Sequence, residues 1–175
     1  DLLGTSDPPT LIKVIDNALG RRTTVQYVSV ADLMAQADTA GHPWTLTIPF
    51  AMQVVANYEV SIAQDLDGVP GPDKQVVEIR YRDPYYDADQ KQFRGFAFVE
   101  KTEHGDEYWS VPNGAPGLVT RLAYHVGAPD GLDNDGNGQV DEMHGARREE
   151  APLKGSVLWT ELTDIDPTHI HKCAK

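Results

Sequence analysis

Asp133, Asp135, Asn137, Gln139 and Asp141 fall at positions 1, 3, 5, 7 and 9 of an acidic loop within residues 131–142, with Gly138 at position 6. Ca²⁺ is a hard cation that takes six to eight oxygen ligands at about 2.3–2.6 Å, and alternating short acidic or amide side chains on a curled loop supply them. Position 7 donates its backbone carbonyl, so Gln139 need not be acidic, and Gly138 permits the sharp turn. Val140, at position 8, is the apolar anchor. The spacing predicts one Ca²⁺ ion. The competing reading is a solvated turn, since Asp, Asn and Gly favour turns on their own account.

This loop is not a standard EF-hand. Its twelfth position, which should hold a bidentate Glu, is His144, a poor ligand for a hard cation. Residues 118–126 alternate like a strand, and Gly127, Pro129 and Gly131 break any helix before the loop. The better match is a nine-residue pattern closed by Asp141 as the bidentate ligand, with Glu142 either an extra ligand or a solvated side chain. A single rigid loop of this kind ties down a connection rather than sensing calcium.

No other cluster reads as an active site. His169, His171 and Cys173 have transition-metal ligand types at strand spacing, but they lie in a terminal tail. His42 sits in a loop beside Pro43, and His104 and His125 have no Ser, Cys or acid partner at motif spacing. G-x-S-x-G, H-E-x-x-H and phosphate-loop patterns do not occur. Tyr81, Tyr85, Tyr86, Phe93, Phe96 and Phe98 admit two readings: a carbohydrate platform, or, as is commoner on alternating strands, core and cross-strand pairs. The chain therefore reads as a non-enzyme.

The elements that must carry these residues are strands. Val54, Ala56, Tyr58, Val60 and Ile62 alternate with Asn57, Glu59 and Ser61, and Val77, Ile79 and Tyr81 alternate with Glu78, Arg80 and Arg82. Leu118, Leu122, Tyr124 and Val126 make another apolar face, and Phe96 and Phe98 follow Gly95 on a strand. Further strands are expected at 11–16, 22–30 and 155–163, with the 52–64 and 74–83 strands linked across 65–73. Residues 17–20 form a hairpin turn. A short helix is expected at 30–38, where Ser29 and Asp32 resemble a capping box, and a second around 147–153. The expected fold is mainly β, an antiparallel meander of long strands forming a curved sheet, with one or two short helices.

At 175 residues, 40% hydrophobic and 24% charged, the chain fits one globular module over 1–175. The net charge of −12 excludes nucleic acid as a natural partner. No apolar run approaches the length of a membrane span. Cys173 is the single cysteine, so no disulfide forms within the chain. Beginning at Asp1, the chain reads as a processed or excised piece of something longer.

An ordered set of motifs carries a resemblance. Residues Ile15–Tyr27 are followed by Gly41-His42-Pro43-Trp44, Ile48-Pro49-Phe50 and Gln53-Val54-Val55. Then come Arg80-Tyr81-Arg82-Asp83-Pro84-Tyr85-Tyr86-Asp87, Phe93-Arg94-Gly95-Phe96 and residues Leu153–Glu161. Over roughly residues 2–163 this resembles the middle region of the Tc insecticidal toxin B component and related virulence plasmid B proteins, of the Rhs/YD-repeat class. The resemblance implies a secreted bacterial protein in which this region follows a β-propeller and precedes YD repeats. There it forms part of the wall of a hollow β-sheet shell around a C-terminal toxic polypeptide. Its partners are then neighbouring segments of the same shell and the enclosed toxin. The catalytic pieces of such proteins lie downstream, so none is carried over. Relative to the family's usual pattern, 131–142 looks like an insertion. The alternative is a secreted or cell-surface adhesion module recognising glycan or protein, and the third is an enzyme whose site is assembled from residues distant in sequence.

Overall fold

A computed structural model describes residues 11–62, 73–105, 117–127, 155–165 and 170–171. Eight strands form one antiparallel sheet whose spatial order is the chain order. They are β1 (Val14–Asp16), β2 (Arg21–Ser29), β3 (Gln53–Ile62), β4 (Asp73–Asp87), β5 (Gln92–Glu103), β6 (Leu118–Tyr124), β7 (Val157–Asp164) and β8 (Ile170–His171). β1 and β8 are the edges, so the sheet is open. This is the expected meander, with each strand paired to its sequence neighbours.

Local chemistry explains the punctuation. At the β1–β2 turn, Asp16 Oδ1 accepts from Ala18 N (2.8 Å), and Asn17 Oδ1 accepts from Leu19 N and Arg21 N (both 2.9 Å). These short side chains replace backbone partners within the turn. Helix α1 (Val30–Thr39) starts at Ser29, whose hydroxyl accepts from Ala31 N (3.2 Å). It ends at Ala40, followed by Gly41 at φ +81°. The second expected helix, 147–153, lies outside the described residues.

Two boundaries differ from the sequence reading by three or more residues. β1 is shorter than 11–16, although Val25 N still donates to Lys13 O (2.8 Å). β4 does not stop at residue 83 but runs through Pro84 to Asp87. Pro84 lacks an N–H and belongs at a strand edge, and the pairing shows why it fits. β3 pairs with β4 only from Ile62↔Asp73 to Asn57↔Glu78, while β4 continues alongside β5 to Asp87↔Gln92. Beyond Glu78 the sheet splits, and the far half of β4 is an edge.

The three register irregularities sit at that same end of the sheet. The extra residues are Ala56 on β3, Arg94 on β5 and Leu158 on β7. Bulges of this kind bend a strand and increase its twist.

Pairing also sorts the side chains, because directly opposed residues share a face. One face carries Val25, Tyr58, Val77, Ile79, Tyr81, Val99, Leu122 and Leu162. The other carries Arg80, Glu100, Arg121 and Glu161 in a single row across four strands. Among the described residues the buried hydrophobics are few: Val30, Val60, Val77, Ala97, Phe98, Ala123 and Val126.

Candidate functional site

The residues read as calcium ligands, Asp133, Asp135, Asn137, Gln139 and Asp141, lie outside the described residues, as do Glu142 and His144. The structure does define the neck of their connection. His125 N donates to Ser156 O (3.0 Å) and Gly155 N to His125 O (2.7 Å), so the β6–β7 pairing extends past both strands. Gly127 and Gly155, the described residues on either side of 128–154, are brought together at this neck. Gly127 (φ +73°) and Gly155 (φ +82°) adopt the left-handed backbone there.

The best-defined constellation surrounds the split in the sheet. Asp83 is fully buried in a left-handed conformation (φ +52°), which Asp tolerates better than most residues. Its Oδ1 accepts from Thr45 N (2.6 Å) and Leu46 N (3.0 Å). Arg82 Nε lies 4.0 Å from Oδ2. A buried carboxylate demands such compensation, and hydrogen bonds to a charged acceptor are the stronger kind. Leu46 then packs with Tyr85 and Tyr124 against Ala97 and Val126. Residues 41–50 are thus a strap laid from α1 toward the far half of β4.

Five rings continue this packing. Phe50 meets Tyr86 (5.5 Å) and Phe93 (6.0 Å), Phe93 meets Phe96 (5.8 Å), and Phe96 meets Tyr81 (4.7 Å). The first three contacts are edge-on, at 80–85° between planes, the preferred arrangement for aromatic quadrupoles. Tyr81–Phe96 is a cross-strand pair between β4 and β5, whereas Phe93–Phe96 lies within β5 and Phe50 comes from the strap; burial pushes the Tyr81 phenol above its ordinary pKa. At the hairpin tip, Asp87 Oδ1 accepts from Gln90 N (2.9 Å). Arg94, the extra residue of its bulge, donates Nη2 to Asp87 Oδ2 (2.8 Å) and to Gln90 Oε1 (2.6 Å). The Gln90 N–H, outweighing partial burial and helped by Arg94, holds the Asp87 carboxyl below the usual range.

Asp83, Asp87 and Arg94 were quoted in the motifs, yet sequence reasoning gave them no role. The available signal was an Asp-Pro pair interrupting an otherwise alternating strand. The charged row was equally hidden: Arg121 Nε lies 2.8 Å from Glu100 Oε2, its Nη1 3.3 Å from Glu161 Oε2, and Arg80 Nη1 3.8 Å from Glu100 Oε1. Burial works against the charged form of Arg121, but its two carboxylate partners outweigh it and raise its pKa.

His104 Nε2 lies 3.2 Å from Glu78 Oε1, an acid partner supplied by the neighbouring strand and therefore invisible to motif spacing. His42 is exposed and its backbone N donates to Ala37 O (2.9 Å). His171 sits on β8 opposite Leu162, while His169 and Cys173 lie outside the described residues. Among the described residues no group of three or more His, Cys, Asp or Glu could hold a metal ion.

A family profile described as the insecticide toxin TcdB middle/N-terminal region matches residues 3–110, more than half of the chain. The chain belongs to this TcdB middle/N-terminal family. Solved structures of similar fold agree. A TcdB2-TccC3-TEV crystal structure matches with a TM-score of 0.64 at 22% identity, covering 90% of this chain and 9% of that one. The Photorhabdus luminescens Tc holotoxin pore gives 0.62 at 22% identity over 90% and 8%. A TcdB2-TccC3 crystal structure gives 0.62 at 21% over 89% and 9%. The chain therefore spans about a tenth of the length of these TcdB-type relatives. No curated protein sequence matches it. For a TcdB-family chain the quoted motifs acquire a structural meaning: they mark the strap, its carboxylate and the hairpin that Arg94 braces.

Proposed function

We propose that this chain is a non-catalytic stretch of wall in the β-sheet shell of a secreted, Tc-toxin-like bacterial protein of the Rhs/YD-repeat class. The observation that carries it is one eight-strand antiparallel sheet in chain order, which sets apolar residues such as Val77 and Leu122 on one face and the Arg80–Glu100–Arg121–Glu161 row on the other. The few buried hydrophobics among the described residues suit a sheet that is completed by neighbours rather than one that encloses its own core. Its partners are then adjacent segments of the same polypeptide, and an enclosed C-terminal toxic segment on the inner side. The adhesion alternative draws less support, because rings set edge-on to one another offer no flat platform for a sugar. Among the described residues no helix is long and apolar enough to cross a membrane.

Hydrogen exchange tests the wall. Val14 and Asp16 lie on edge strand β1, and Ile12, Val14, Ile15 and Leu19 are exposed there. In the longer protein the β1 amides should exchange far more slowly than in the 175-residue chain, because a neighbouring strand pairs with them. Equal exchange in both would sink the reading. The isolated chain should also self-associate through the same edge.

Ca²⁺ belongs to this proposal as a clasp: bound by Asp133, Asp135, Asn137, Gln139 and Asp141, it would rigidify the connection that closes at the β6–β7 neck. Calorimetric titration with calcium chloride should show one site, lost on combining Asp133→Ala with Asp135→Ala. Unchanged binding in that double variant removes the site and leaves the wall reading standing. Saturation at about 100 times Kd should add ~2.7 kcal/mol of stability, and a melt indifferent to chelator would show that the clasp contributes none.

A further inference from the structure

We infer that residues 41–50 form a strap that opens and closes as a unit, with Asp83 as its latch. Four observations place this device, independently of the wall reading. The strap has no strand pairing of its own, and it crosses the region where β3 and β4 have separated. The 30–52 excursion is closed at its base, where Val30 N donates to Met52 O (3.0 Å) and Ser29 pairs with Gln53, so opening above that neck leaves β2 and β3 paired. Gly41, at φ +81° with nothing within 4 Å of where a Cβ would stand, supplies a hinge at the α1 end. The docking points include the Asp83 carboxylate, Leu46 and Phe50.

Closure and opening differ in what they do to β4. Closed, the strap donates two N–H groups to Asp83 Oδ1 and covers Ala97 and Val126 through Leu46. Open, it uncovers the 79–87 edge of β4, which β3 does not pair. Local openings of this sort draw on segments with few buried contacts and leave the core ladders intact.

Residue-resolved hydrogen exchange on the 175-residue chain tests the inference at increasing, sub-denaturing guanidinium. Thr45 and Leu46 amides should exchange together, faster than the β4–β5 ladder and with little denaturant dependence. Asp83→Gly removes the acceptor while suiting the left-handed backbone. It should speed both amides about tenfold or more and leave the β5 amides unchanged. Asp83→Asn, which keeps one acceptor oxygen without the charge, should fall between. If Thr45 and Leu46 in the unaltered chain exchange only with the denaturant dependence of the β4–β5 ladder, the strap is no separate unit and the inference fails. If they open locally but Asp83→Gly leaves their rates unchanged, Asp83 is not the latch.

Discussion

The two ends of this sheet are built from the same strands by different rules. At the end where β3 meets β4 through Ile62↔Asp73 and β5 meets β6 through Glu103↔Leu118, the register is regular. Surface ion pairs such as Lys74–Glu59 (3.0 Å) decorate it. At the opposite end there are three bulges, a split between β3 and β4, a proline inside β4 and a buried carboxylate. Regular pairing needs only alternation, so side chains there are interchangeable within broad limits. The bulged end has traded ladder bonds for specific side-chain contacts, so individual residues matter.

That contrast predicts a ranked series of effects, measured as thermal or denaturant stability of the 175-residue chain. Asp83→Ala should be the most damaging, at about 3 kcal/mol or more. It orphans two N–H groups and leaves a non-glycine residue without its local acceptor at positive φ. Ala123→Leu comes next: Ala123 is fully buried between Phe98 and Trp159, whose rings lie 6.2 Å apart, and overpacking there should cost about 1–3 kcal/mol. If Asp83→Ala proves milder than Ala123→Leu, the strap end depends on packing and not on its carboxylate.

Smaller effects sharpen the comparison. Arg121 joins Glu100 and Glu161 across three strands, and a double-mutant cycle of Arg121→Met with Glu100→Gln should give a coupling of roughly 0.5–1 kcal/mol, weakened by salt. Asp87 has its folded pKa lowered, so its stabilisation is present above the unfolded carboxylate value of about 4 and is lost as pH falls through the folded value. Asp87→Asn should therefore lose that small stabilisation at neutral pH and match the unaltered chain below the folded value, which flattens the acid limb of the stability profile. At the regular end, Lys74→Ala should shift stability by about 0.5 kcal/mol or less, since both partners are about a third exposed. A large loss there would erase the proposed difference between the ends.

Much of the fold was legible because period-two alternation reports strands directly. Residues 52–64 and 74–83 read as neighbours, and Ser29 marked the start of α1, each by local chemistry. The strand containing Pro84 was cut short for an equally local reason: a proline argues against a central strand, and nothing nearby in sequence announces that β3 has departed. Asp83 was unreadable for the same cause, since its two donors lie 37 and 38 residues earlier. The acidic pattern from Asp133 to Asp141 is the converse case, a proposed site whose candidate ligands are close in sequence and are suggested by spacing alone.

The amino-acid sequence thus determined what is set by neighbours along the chain: the strands, the Asn17 turn, the helix cap, the family motifs and a candidate calcium loop. Tertiary structure alone decided which side chains share a row, where the sheet splits and what a buried carboxylate holds. The physical reason is range. Alternation and turn preferences act over a few residues, whereas register between long strands brings Arg80, Glu100, Arg121 and Glu161, or Asp83 and Leu46, together only after the meander has closed.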